Sequence, residues 1–212
     1  MKHGQLFLFQ GDSITDCQRH RESQDLVNQS AALGCGYVGH LAGALLAQYP
    51  GHRLRILNRG ISGNRIVDLY ARWKPDGVNL KPDWISILIG VNDVWHEIKS
   101  CTGVELDRFE QVFRMLLTYT HQCIPDVRLV LCEPFVLPCG VVTPEWEDDI
   151  RGRQDVVLRL SAEFSALRVP FQEMFNEALK EAPPEYWAED GVHPTPAGHA
   201  RMALYWRSRL GI

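Results

Sequence analysis

The strongest constraint on the fold is a repeated alternation. Short apolar runs, too brief to be helices, are separated by longer stretches whose apolar residues recur at helical spacing. The runs are Leu6 to Phe9, Leu54 to Leu57, Trp84 to Ile89 and Leu129 to Leu131, with a weaker one at Val169 to Phe171. Their apolar residues do not alternate with polar ones, so both faces of each strand must be covered, as in a parallel sheet between helices. Helical spacing marks Tyr37 to Tyr49, Arg65 to Trp73, Leu106 to Gln122, Glu145 to Leu167 and Ala197 to Leu210. Right-handed crossovers between such units build a doubly wound α/β sheet, which receives ligands beyond the carboxyl ends of its strands. At 212 residues without repeat or linker, the chain is expected to form one domain over residues 1–212.

Composition excludes more than it names. The net charge is −4, and the basic residues are scattered rather than gathered into a stripe, which argues against nucleic acid and anionic membrane as partners. The run at Leu6 to Phe9 is too short to span a bilayer and lacks the features of a secretory signal, so a cytoplasmic location is expected. The six cysteines show no Cys-x-x-Cys spacing and read as free thiols, with Cys17 notable for its place four residues after a serine. No cofactor or metal is expected. Exposed aromatic residues leave room for a homo-oligomer.

Four short blocks carry the chemistry. In Gly11-Asp12-Ser13-Ile14-Thr15-Asp16, a glycine before a serine at the end of the first strand permits a sharp turn that presents the hydroxyl at the mouth of the sheet, as a nucleophile requires. A Ser/Asp turn that merely ends the strand is the alternative. In Asn58-Arg59-Gly60-Ile61-Ser62-Gly63-Asn64, Gly60 has no side chain to shield its N–H and is the candidate backbone donor to an oxyanion, although glycines between strand and helix also occur for backbone reasons alone. After the strongest strand comes Gly90-Val91-Asn92-Asp93. An Asn92 amide can donate to a developing negative charge where Asp93 would repel it, and an Asn-Asp turn is the plainer reading. In Asp190-Gly191-Val192-His193-Pro194, three positions separate a carboxylate from an imidazole. On a tight turn the carboxylate can hold one ring nitrogen while the other faces outward. A metal site built on this pair lacks further ligands nearby, and His199 reads as structural.

Together and in this order, Ser13, Gly60, Asn92 and His193, with Asp190 three before the histidine, resemble the GDSL/SGNH hydrolase family. The resemblance implies a three-layer, flavodoxin-like fold around a central five-stranded parallel sheet, and ester hydrolysis through an acyl-enzyme. It casts Ser13 as nucleophile, His193 as base, Asp190 as its orienter, and the Ser13 N–H, Gly60 N–H and Asn92 amide as the oxyanion hole. Longer stretches, from Gly11 to Cys17, Gly60 to Trp73 and Lys81 to Trp95, are similar to the acetylxylan-esterase branch, which implies an acetylated saccharide as substrate. Asp12 and Trp95 are the candidate substrate contacts, Trp95 because it lies just beyond Asn92. Short-chain acyl esterase, thioesterase or lysophospholipase activity on the same machinery is the alternative, and a catalytically silent carbohydrate-binding protein is the alternative outside enzymes.

Overall fold

The computed structural model describes residues 1–212. The chain opens with β1 (Leu6–Gly11), α1 (Ser13–Asp16), α2 (Ser30–Leu33), α3 (Tyr37–Gln48) and β2 (Arg55–Asn58). It continues through α4 (Ile66–Ala71), α5 (Trp73–Asp76), β3 (Trp84–Leu88), α6 (Val91–Ser100), α7 (Leu106–Cys123) and β4 (Arg128–Cys132). The last part comprises α8 (Trp146–Glu163), β5 (Leu167–Val169), α9 (Phe171–Ala178), α10 (Pro184–Trp187) and α11 (Pro196–Leu210). All five strands are parallel, in the order β2-β1-β3-β4-β5.

The alternating direction of side chains along each strand divides the interior in two. Phe7 and Phe9 of β1 face a cluster that includes Tyr37, Leu41 and Leu45 of α3 and Met202 and Trp206 of α11. Leu6 and Leu8 face the opposite way, onto Ile66 and Leu69 of α4, Phe109 and Phe113 of α7 and Val156 and Leu160 of α8. Helices therefore cover both faces, which is why the strands lack apolar-polar alternation. No helix is long and apolar enough to cross a membrane.

The order in which strands are added reverses at β1: β2 pairs on one side of it and β3 on the other. Such a switch opens a crevice at the carboxyl ends of the strands. Gly11 of β1 pairs with Leu88 of β3, so the loops that follow these two strands start level with each other.

Some boundaries differ from the sequence reading. The weak run at Val169 to Phe171 straddles two elements, because β5 ends at Val169 and Phe171 begins α9 after Pro170. The helix expected over Glu145 to Leu167 stops at Glu163, and ahead of it the Thr143 carbonyl accepts the Trp146 N–H. Thr195 caps α11, its hydroxyl accepting from the Gly198 N–H. Asn92-Asp93, whose alternative reading is a turn capping the next segment, lies in the first turn of α6.

Trp206 ties the layers together, packing 5.4 Å from the Phe9 ring and donating its indole N–H to Ser86 Oγ of β3 at 3.0 Å. It is fully buried. Trp206→Ala is expected to destabilise the protein by about 3–5 kcal/mol, through lost burial and a cavity in the sheet-helix interface. Urea unfolding should show a lower midpoint with an unchanged slope.

Candidate active site

Ser13 is the first residue of α1 and stands at the open end of the crevice. The turn into α1 works because Gly11 has no side chain: a Cβ there would lie 2.3 Å from the Leu88 carbonyl oxygen and 2.4 Å from Thr15 Oγ1. Asp12 Oδ1 accepts the Ile14 N–H at 3.0 Å and caps the short helix. The Ser13 N–H has no partner within the chain and remains available to a ligand.

His193 reaches the serine from the other end of the sequence. Ser13 Oγ lies 2.8 Å from His193 Nε2, and His193 Nδ1 lies 2.6 Å from Asp190 Oδ2. The other carboxylate oxygen, Asp190 Oδ1, accepts the backbone N–H groups of Val192 at 2.9 Å and His193 at 2.7 Å. One carboxylate thus folds the turn and orients the ring that the turn carries. An Asp190 carboxylate can only accept, so Nδ1 carries the proton and Nε2 presents its lone pair to the serine hydroxyl. Burial works to raise the Asp190 pKa, but the bonds from His193 and Val192 outweigh it and hold the carboxyl below its ordinary value.

A segment that the sequence reading passed over supports this turn. The Leu137 N–H donates to the Gly191 carbonyl at 2.8 Å, and the Val141 N–H to the Asp190 carbonyl at 3.0 Å. Gly191 adopts φ +83°, and a Cβ on it would lie 2.4 Å from the Cys139 carbonyl oxygen. Only glycine fits there.

The oxyanion donors need one correction. The Gly60 N–H is already used, donating to Asn58 Oδ1 at 2.9 Å, and Gly60 is buried against the Thr15 and Asp16 backbone. Its missing side chain serves packing. Within the same loop, Gly63 sits at φ +81° with open space around its Cβ position, and its N–H has no partner in the chain. The Ser62 N–H, one residue before, is held by Asp16 Oδ2 at 2.9 Å, which ties this loop to α1. Asn92 Nδ2 donates one hydrogen to the Asn64 carbonyl at 3.2 Å and keeps the second free. The local signal was an asparagine two residues before Gly60, since Asn side chains commonly accept an N–H two positions on.

Asp12 also needs correction. It is 1% exposed and caps α1, so it is not a surface contact for substrate. Its Oδ2 has no partner, and burial pushes its pKa up to about 7. Trp95, one turn after Asn92 on α6, is half-buried against Trp146, with its ring 5.6 Å from the His193 ring. It flanks the histidine. Trp73, by contrast, is core and donates to Thr120 Oγ1. His199 is buried in α11 and accepts the Tyr37 N–H on Nδ1. Burial lowers its pKa to about 4, in keeping with a structural role.

Ser13, Ser62 and His193 line an open cleft of about 460 Å³ together with Ile14, Asp16 and Cys17. Clefts of about 600 and 870 Å³ lie elsewhere, beside α8 and between α9 and α11, and neither contains these side chains. The arrangement can remove the serine proton as oxygen attacks an acyl carbon, with unpaired N–H groups at Ser13, Gly63 and Asn92.

The raised Asp12 pKa has a consequence for stability. The folded protein keeps the Asp12 proton between the ordinary value of 3.8 and about 7, whereas the unfolded chain releases it, so this group's contribution to stability falls as pH rises through that window. Asp12→Asn retains the cap acceptor without the charge. Its stability relative to the parent, read by urea unfolding, should rise between pH 4 and about pH 7 and then level off. A difference that stays constant with pH would contradict the burial argument.

Comparison with known proteins gives the family. Residues 9–201 match the model of the GDSL-like lipase/acylhydrolase family. The chain is 39% identical over 214 residues to an acetylxylan esterase from Geobacillus stearothermophilus, covering 99% of this chain and 95% of that protein. The crystal structure of that esterase superposes with a TM-score of 0.89 at 37% identity, over 100% of this chain and 96% of the other. Structures of it also exist as catalytic mutants at a serine, an aspartate and a histidine. A Parabacteroides merdae protein of the GDSL-like lipase type superposes with a TM-score of 0.96 at 41% identity, covering 100% of this chain and 97% of that one. The chain belongs to the GDSL-like lipase/acylhydrolase family and is a carboxylic ester hydrolase.

Proposed function

We propose that this hydrolase removes O-acetyl groups from carbohydrates, xylo-oligosaccharides or related acetylated sugars, through an acyl-enzyme. The observation that carries the mechanism is the continuous chain from Ser13 Oγ through His193 to Asp190, with both links at hydrogen-bond length. Ser13 attacks the acetyl carbonyl carbon while His193 Nε2 takes its proton, and the Asp190 carboxylate stabilises the imidazolium. The carbonyl oxygen becomes an oxyanion that meets the Ser13 N–H, the Gly63 N–H and the free Asn92 amide hydrogen. His193 then gives the proton to the sugar oxygen as it leaves. Water, deprotonated by the same histidine, releases acetate and restores the serine.

No cofactor enters this scheme. The sugar specificity rests on the acetylxylan esterase of Geobacillus stearothermophilus, whose catalytic mutants fall on the same three residue types and include an aspartate three positions before the histidine. Trp95 offers an aromatic face beside His193 on which a sugar ring can pack.

Acetate release from acetylated xylo-oligosaccharides and hydrolysis of p-nitrophenyl acetate are expected in the parent protein. Ser13→Ala should lower kcat by about 10⁴-fold or more, Asp190→Asn by about 10³–10⁴-fold, and Asn92→Ala by about 10²–10³-fold. Full turnover in Ser13→Ala would defeat the mechanism. A preference for octanoyl over acetyl esters would move the substrate to lipids or thioesters and leave the mechanism standing.

A further inference from the structure

Cys17 and Cys35 stand apart in sequence but meet beside the active-site cleft. Their sulfurs are 3.5 Å apart, and the Cys35 N–H donates to the Cys17 carbonyl at 3.0 Å. Cys17 ends the helix that Ser13 begins, its N–H bonded to the Ser13 carbonyl at 2.9 Å and its φ at +35°. It also lines the cleft with Ser13 and His193. The surroundings are closely fitted. A Cβ on Gly36 would lie 2.6 Å from Cys17 Cβ and 3.0 Å from His199 Cε1, so glycine at 36 makes room for this side chain. The Tyr37 N–H occupies His199 Nδ1, which leaves the proton on Nε2, directed at Cys17 Sγ 3.4 Å away.

We infer that Cys17 and Cys35 form a reversible disulfide in the folded protein, and that this bond lowers turnover at the adjacent serine. The turnover half rests on Ser13 being the nucleophile. Cys35 is exposed and meets the oxidant first, while burial and the neighbouring Cys35 push the Cys17 thiol up to about 12, so Cys17 is not the sulfur that the oxidant meets as a thiolate. With a hydroperoxide as oxidant, Cys35 sulfur attacks the terminal oxygen: an S–O bond forms, the O–O bond breaks, and the departing oxygen leaves with the thiol proton, as water when the oxidant is hydrogen peroxide. Cys17 sulfur then attacks Cys35 sulfur: the S–S bond forms, the S–O bond breaks, and hydroxide leaves with the Cys17 proton as a water. Two thiols are oxidised and one peroxide is reduced.

Bonded sulfurs lie about 2.05 Å apart, so the pair must close by roughly 1.5 Å. That draws Cys17 Sγ away from the His199 N–H and pulls on a helix of four residues whose other end holds the serine. Displacements near 1 Å in a reacting group cost on the order of 10²-fold in rate.

The test treats the reduced, folded protein with hydrogen peroxide, alkylates remaining thiols and maps the tryptic peptides. The expected product joins the peptide His3 to Arg19 with the peptide Glu22 to Arg53, two hydrogens lighter than their sum. The kcat on p-nitrophenyl acetate should fall at least about tenfold in step with the link and return with dithiothreitol. Cys35→Ser, at an exposed position, should keep its turnover in peroxide. Absence of the linked peptide, an unchanged kcat in linked protein, or an equal loss in Cys35→Ser would each overturn the inference. The peptide map reads sulfur connectivity without reference to activity, so its failure is distinguishable from loss of the serine assignment, which Ser13→Ala reports.

Discussion

The pairing of Gly11 with Leu88 at the carboxyl ends of β1 and β3 sets the geometry on which the rest of the site depends. Because the two strands finish level, the α1 turn and the start of α6 open on the same crevice. Any side chain at position 11 would meet the Leu88 carbonyl and the Thr15 hydroxyl, forcing strands and turn apart. Sheet register is specified by which residues must be buried, and here both faces of both strands are buried, so a slip would move every side chain to the wrong layer.

Upon this frame, side-chain hydrogen bonds connect loops that the sheet alone would leave independent. Asp16 links α1 to the loop after β2 through Ser62, and the Asn92 amide links that loop to α6 through Asn64. Arg19, itself buried, adds a bond from its Nε to the Gly60 carbonyl at 2.7 Å. The segment from Leu137 to Val141 does the same for the Asp190 turn. Three separate loops therefore hold their N–H groups in place before any substrate arrives. Such preorganisation lets donors act on a developing charge without rearranging at the moment of reaction.

The strand-helix alternation and the serine, histidine and aspartate could be read directly from the sequence, for a physical reason. Strands buried on both faces must be apolar throughout, and a carboxylate three residues before an imidazole can satisfy both a tight turn and a ring nitrogen. What escaped the reading depended on competition between partners. Gly60 looked like a free donor because its bond to Asn58 is a matter of which acceptor is nearest, and Gly63 only three residues later was left with the open N–H. Asp12, beside the serine, was a candidate substrate contact, yet folding buries it under the turn it caps. The end of the sheet was misplaced because Phe171, the most apolar residue of the last run, belongs to the helix after Pro170, whereas the edge strand itself includes the half-exposed Leu167.

Burial explains why two carboxyls beside the crevice behave differently from the third. Asp12 and Asp93 are enclosed, and desolvation lifts each to about 7 despite backbone N–H donors. Asp190 is partly solvated and receives three N–H groups, so it remains a charged acceptor at neutral pH. The contrast matters for the imidazole. A single firm anion on the side of Nδ1 fixes which nitrogen carries the proton and leaves the lone pair on Nε2 facing the serine. Burying Asp12 under the turn it caps therefore delays its ionisation until about pH 7, so that below this pH the N–H donors face a developing oxyanion without that second negative charge beside them.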